Sequence, residues 1–160
     1  MANMTSDEKD VVVLIAEDDD DDYLLTRKAF EDSGFCGSFC RVKNGIELLE
    51  SLLLHENLSQ NPGAANRPML LLLDLNMPCK DGRETLREIK SHPDLQKIPV
   101  VILTTSRAEA DIAMAYALGA NSFIHKPARF DQFVEAVKSL KKYWFEVAEL
   151  PRRWIMKSVS

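Results

Sequence analysis

Three stretches of this chain, VVVLIA at 11–16, MLLLLD at 69–74 and PVVIL at 99–103, are apolar without alternation. A strand with one wet face alternates apolar and polar residues. A run this short, rich in branched side chains and apolar throughout, is a strand covered on both faces. Helices packed on both sides of a parallel sheet provide that cover. The intervening sequence supplies the helices. Tyr23–Ser33 has helical character, with an aspartate run as its N-cap and first turn and Gly34 as its stop. Ser38–Val42 is a weaker second strand. Asn44 with Glu47 forms a capping-box pattern ahead of a helix over Ile46–Leu54. Residues 57–68 carry Asn, Ser, Pro and Gly and make a loop. Gly82–Lys90 is helical after a turn at Asn76–Lys80. Ser106 with Glu109 predicts a second capping box for a helix ending at Leu118, with Gly119 as its C′ residue. Ser122–His125 is the fifth strand. A final helix follows Pro127, with an apolar stripe at Phe130, Phe133, Val134, Val137, Leu140, Trp144 and Val147.

Strand and helix thus alternate five times, which predicts a five-stranded parallel sheet with helices on both faces. Residues 1–10 are expected to be a flexible lead-in, 11–146 one domain, and 147–160 an extension too short for a second domain. A chain of 160 residues needs no disulfide or metal to build its core. The three cysteines, Cys36, Cys40 and Cys79, lack paired spacing and read as free thiols in a reducing cytoplasm. No apolar run reaches the roughly 18 residues of a membrane span, and the polar start shows no secretory signal.

The net charge of −5 is largely one local feature, because Glu17, Asp18, Asp19, Asp20, Asp21 and Asp22 are consecutive. Such a balance excludes a domain-wide nucleic-acid footprint. In an open α/β sheet, ligands bind beyond the carboxyl ends of the strands. Those ends carry Glu17 and Asp18, then Asp74, then Thr104, then Lys126 before Pro127. Three converging carboxylates repel one another unless a cation joins them or one takes a proton. With only oxygen donors, the cation of choice is Mg²⁺. Metal, ammonium and hydroxyl together suit the oxygens of a phosphoryl group, and a central aspartate can itself be the nucleophile. Asp19–Asp22 read instead as solvated first-turn acids, and His125 as a strand residue near the surface. Thr105 is the rival of Thr104.

Five pieces occur in order: LIAEDD at 14–19, LLLLDLNMP at 70–78, DG at 81–82, PVVILTTS at 99–106 and KP at 126–127. Together they closely resemble the receiver domain of two-component response regulators, across residues 10 to 145. The resemblance implies a flavodoxin-like fold. It implies that Asp74 accepts phosphate from a phosphohistidine on a sensor histidine kinase, with Mg²⁺ as cofactor. Asp18 and Asp74 then ligate the metal directly, Glu17 does so through water, and Asn76 lends its backbone carbonyl. Thr104 is the switch hydroxyl, Lys126 the lysine that pairs with the phosphoryl group, and Phe123 the switch aromatic. A cis bond before Pro127 is also implied. The receiver is a signalling module, catalysing only phosphoryl transfer to and from its own aspartate.

More narrowly, DLNMPCKDGRETLREIK and the aromatic C-terminal helix resemble the small stand-alone response regulators paired with cyanobacterial and bacterial phytochromes. A phytochrome kinase is then the first candidate partner. A homodimer through the face made by the fourth helix, the fifth strand and the final helix (the α4-β5-α5 face in chain order), together with the C-terminal extension, is expected, with Tyr143, Phe145, Trp154 and Ile155 at the interface. Exposed aromatics in a cluster favour such an interface. Neither membrane nor nucleic acid is an expected partner. Two rivals differ in class. A haloacid-dehalogenase-like aspartyl phosphatase needs a second Asp two residues after the nucleophile, where this chain has Asn76. A receiver-like interaction module that is never phosphorylated does not need the complete set of acids, Thr and Lys.

Overall fold

The computed structural model describes residues 8–54 and 69–151. The strands are β1 (Val12–Ala16), β2 (Ser38–Val42), β3 (Met69–Leu73), β4 (Val100–Thr104) and β5 (Ser122–His125), all parallel, in the order β2-β1-β3-β4-β5. The helices are α1 (Asp20–Asp32), α2 (Gly45–Leu54), α3 (Gly82–Ser91), α4 (Glu109–Ala117) and α5 (Phe130–Lys141). This is the doubly wound, flavodoxin-like arrangement.

Every residue of β1, β3 and β4 is buried, because alternate side chains enter two separate cores. Val12, Leu14, Leu71, Leu73 and Ile102 pack with Leu48 and Leu52 of α2, Leu86 and Ile89 of α3, and Ala115 of α4. Val13, Ile15, Leu70, Leu72, Val101 and Leu103 pack with Ala29 and Phe30 of α1 and with Phe133, Val137 and Leu140 of α5. The outer strands β2 and β5 are less covered, which explains their more polar sequences. The chain leaves β1 toward β2 and later returns on the other side of β1 as β3. The topological switch point therefore lies between β1 and β3, where such sheets open a crevice at their carboxyl ends.

The Asn44 capping box forms. Asn44 Oδ1 accepts from Glu47 N at 2.9 Å, and Glu47 Oε2 reaches back to Lys43 N at 2.8 Å. Gly119 closes α4 with a positive φ of 105°. The Ser106–Glu109 box does not form. Ala108 is the N-cap of α4 and makes no side-chain cap bond, while Ser106 Oγ donates to Asp111 Oδ2 at 2.6 Å. Arg83 of α3 holds the same carboxylate in a bidentate grip, Nε to Oδ1 at 3.1 Å and Nη2 to Oδ2 at 2.9 Å. A first-turn carboxylate of α4, fixed by Arg83 of α3, has drawn the serine hydroxyl away from the cap position.

The ends of the domain also differ from expectation. Residues 8–10 are a turn of 3₁₀ helix with Glu8 buried, and its carboxylate lies 3.4 Å from Lys141 Nζ. After Lys141 the helix widens into a π-turn over Lys142–Val147, with Ala148 N donating to Tyr143 O at 2.6 Å. The wider turn breaks the predicted stripe. Val147, expected in the core, is 66% exposed, and Phe145, expected at an interface, packs on Phe35 with ring centroids 5.3 Å apart. Tyr143 is exposed as expected. Trp154, Ile155, residues 1–7 and the loop expected at 57–68 lie outside the described residues. No described helix is long and apolar enough to cross a membrane. No described peptide bond is cis, so Lys126–Pro127 is trans.

Candidate phosphoryl-acceptor site

Register brings the acidic residues together. Ala16 pairs with Leu73, and Asp74 N donates to Ala16 O at 3.1 Å. Glu17 and Asp74 therefore leave the sheet side by side at the switch point. One carboxylate oxygen each from Glu17, Asp18 and Asp74 lies within 4.8 Å of the others. Glu17 is 3% exposed and Asp74 9%, whereas Asp18 is open to solvent. An all-carboxylate set with one wet side fits a hard divalent cation that keeps several waters.

Lys126 closes the other side. Its backbone N donates to Thr104 O at 2.8 Å, which fixes the end of β5 against β4. Its ammonium donates to Glu17 Oε1 and, at 3.1 Å, to Asp22 Oδ2, and lies 3.7 Å from Asp74 Oδ2. Burial pushes Glu17 up to about 7, against the pull of Lys126. Burial also disfavours the Lys126 ammonium, but Glu17, Asp74 and Asp22 outweigh it, and its pKa lies above the usual lysine value. The lysine is thus charged at neutral pH and pairs with Glu17.

Thr104 is fully buried at the end of β4, with its Oγ1 accepting from Ser106 N at 3.3 Å. Thr105, its rival, is exposed. Phe123 of β5 is half-buried against the core that α2, α3 and α4 share, and its N–H donates to the Tyr116 hydroxyl at 3.1 Å. Asn76 N donates to Asp74 Oδ1 at 3.3 Å, and its side chain is exposed. His125 lies beside Arg107 and the Thr105 carbonyl, apart from the acids.

Sequence reasoning missed three participants. Asp22 and Asp20 are not merely solvated: the first touches Lys126, and the second pairs with Arg41 Nη1 at 2.8 Å. Arg41 of β2 also donates from Nε to Glu17 O at 3.1 Å and from Nη2 to Asp18 O at 3.4 Å, so it clamps the backbone that carries both acids. Its register opposite Ile15 was the available signal. Gly82 lies against the Asp74–Leu75 segment, with its N donating to Leu75 O at 3.0 Å.

The chain is similar to several known proteins. The family described as "Response regulator receiver domain" matches residues 13–138. The probable methanogenesis regulatory protein FilR2 of Methanothrix harundinacea is 39% identical over 121 residues, covering 76% of this chain and 75% of that protein. The response regulator Rcp1 of Synechocystis is 47% identical over 85 residues, 53% of this chain and 58% of its own length. Among solved structures, the phosphorylated cyanobacterial phytochrome response regulator RcpA superposes with a TM-score of 0.76 at 40% identity, covering 88% of this chain and 97% of that one. The Mn²⁺-bound form of Rcp1 gives 0.73 at 35% identity, covering 88% and 98%.

Proposed function

This chain belongs to the response regulator receiver family, and from that premise we propose that Asp74 takes a phosphoryl group from a phosphohistidine of a sensor histidine kinase in the cytoplasm. The observation that carries the reading is the meeting of Glu17, Asp18 and Asp74 beside the Lys126 ammonium at the switch point. Asp18 and Asp74, with Glu17 through water and the Asn76 carbonyl, would hold Mg²⁺, which when bound would neutralise the phosphoryl oxygens. An Asp74 carboxylate oxygen forms the new bond to phosphorus as the bond from the histidine nitrogen breaks. Lys126 pairs with a phosphoryl oxygen, and the Thr104 hydroxyl turns to donate to another. Thr104 then leaves Ser106 N, Phe123 follows, and the face made by α4, β5 and α5 changes.

RcpA is named as a phytochrome response regulator, which makes a phytochrome kinase the first partner to test. Output by homodimer contact rather than by nucleic acid fits the exposed Tyr116, Tyr143 and Val147. A phosphatase of the haloacid-dehalogenase type is disfavoured, because the position of its second acid is Asn76, with its side chain in solvent. Acetyl phosphate with Mg²⁺ should label the wild-type chain and leave Asp74→Asn unlabelled. Labelling that persists in the variant refutes Asp74 as the acceptor.

A further inference from the structure

The Lys126 ammonium touches three carboxylates, and only two of them belong to the cation-binding set. The third, Asp22, comes from the first turn of α1. We infer that Asp22 is a positioning residue for Lys126, the partner that holds the lysine over Asp74 once Glu17 turns to a cation. This rests on the reading of Asp74 as phosphoryl acceptor and deepens it.

Asp22 is built to stay in place. Its N–H donates to the N-cap Asp19 Oδ1 at 2.9 Å, and its carbonyl accepts from Thr26 Oγ1 at 2.8 Å. Its carboxylate then reaches Lys126 Nζ at 3.1 Å. The neighbouring acids go elsewhere: Asp20 to Arg41, and Asp21 into solvent. A cation among Glu17, Asp18 and Asp74 competes directly with Lys126, because Lys126 already holds Glu17 Oε1. Lys126 is 10% exposed at its side chain, so an ammonium displaced there without a partner would be a buried unpaired charge. Asp22 removes that penalty. One N–H stays on Asp22, and the others are left to face Asp74 and whatever it carries.

Cation titration of the full chain by calorimetry tests this without any phosphoryl group. Asp22→Asn keeps the shape and an acceptor oxygen but loses the charge. It should raise the Mg²⁺ Kd about two- to fivefold, the size of one partly exposed ion pair. Asp21→Asn makes the same change of net charge one residue away and should leave Kd nearly unchanged. In a Lys126→Met background, the effect of Asp22→Asn should vanish, which a general structural role would not produce. Equal effects of the two asparagine variants, or an Asp22 effect that survives in Lys126→Met, overturns the inference. Acetyl phosphate labelling of wild type and Asp74→Asn runs in parallel. Wild type that takes no label overturns both readings, because Lys126 then has no phosphoryl group to be positioned for. Normal labelling with an unchanged Kd in Asp22→Asn overturns this inference alone.

Discussion

Gly82→Ala separates two physical accounts of the acceptor segment by the sign of its effect. Gly82 is the first residue of α3 and is not among the positive-φ glycines, which among the described residues are Gly34 and Gly119. Left-handed freedom is therefore not why glycine stands there. On helix propensity alone, alanine at an interior position gains up to about 1 kcal/mol over glycine. Sterics say the opposite. A Cβ on Gly82 would lie 2.3 Å from Asp74 O, 2.8 Å from Leu75 Cα and 3.1 Å from Asp74 C. Ordinary carbon–oxygen contacts are about 3.3 Å or longer, so α3 and the Asp74 backbone must part by roughly 1 Å. Overpacking of this kind costs about 1–3 kcal/mol. The net expectation is destabilisation of about 1–2 kcal/mol, read as a lower urea midpoint.

The same displacement tilts Asp74 away from Glu17, Asp18 and Lys126. A misplacement near 1 Å costs on the order of 100-fold in rate where geometry is critical, so the acetyl phosphate labelling rate should fall about 10- to 100-fold. Gly34→Ala is the control. Gly34 has φ +88°, and its added Cβ would meet nothing nearer than Lys141 Nζ at 3.7 Å. It should lose about 1–2 kcal/mol from backbone strain and keep normal labelling. A Gly82→Ala protein with an unchanged or higher urea midpoint and wild-type labelling would falsify the claim that a backbone contact between α3 and the acceptor segment sets the geometry of the site.

Two further outcomes follow from the packing. Lys90 donates to Ile98 O at 2.8 Å with its stem beneath Gly119, and burial pushes its pKa down to about 8 from 10.5. The folded protein then binds fewer protons than the unfolded chain between those values, so stability should rise with pH from about 8 to 10.5. Since the group is partly solvated, the gain is on the order of 1 kcal/mol after discounting for screening; urea midpoints should show it in wild type and not in Lys90→Met, and equal pH slopes refute it. Phe145→Ala, which empties a half-buried place beside Phe35, should lower stability by about 1–2 kcal/mol. Tyr143→Ala should leave stability within about 0.5 kcal/mol but weaken self-association by sizing, and the reverse assignment refutes the division between them.

The parts of the fold visible in the sequence are those in which one local signal decides. Each buried strand stops where its apolar run meets Glu17, Asp74 or Thr104, so the rim could be read strand by strand. Asn44 and Glu47 cap α2 through bonds that reach no further than four residues along the chain. Ser106 and Glu109 offered the same pattern and lost it to Asp111 in the first turn of α4, a carboxylate that Arg83 of α3 holds in place. The helical stripe through Val147 failed for a similar reason, since a π-turn sets Phe145 on Phe35 and turns Val147 outward. Asp22 and Arg41 were hidden because their partners are remote. Lys126 is 104 residues from Asp22, and Arg41 reaches the carbonyls of Glu17 and Asp18 across a strand pair.

The rim presents three acids, and the surroundings favour Asp74 over the other two for the proposed role of nucleophile. Glu17 is nearly sealed, is held toward its protonated form by burial, and has one oxygen on Lys126 and the other accepting from Asp19 N at 3.3 Å. Asp18 is open to water, where a carboxylate stays hydrated and phosphoryl chemistry loses the benefit of a dry, preorganised charge. Asp74 stands between them. One oxygen accepts from Asn76 N, while the other faces Lys126 at 3.7 Å, near enough to feel the ammonium and too far to be held by it. It also lies between β1 and β4, with Glu17 on one flank and the end of β4 on the other. A nucleophile needs an oxygen not already committed to a donor and positive charge where the transferred group will rest. Of the three acids, Asp74 alone combines them, and it does so because β3 is the strand that the sheet's topology places next to its own point of reversal.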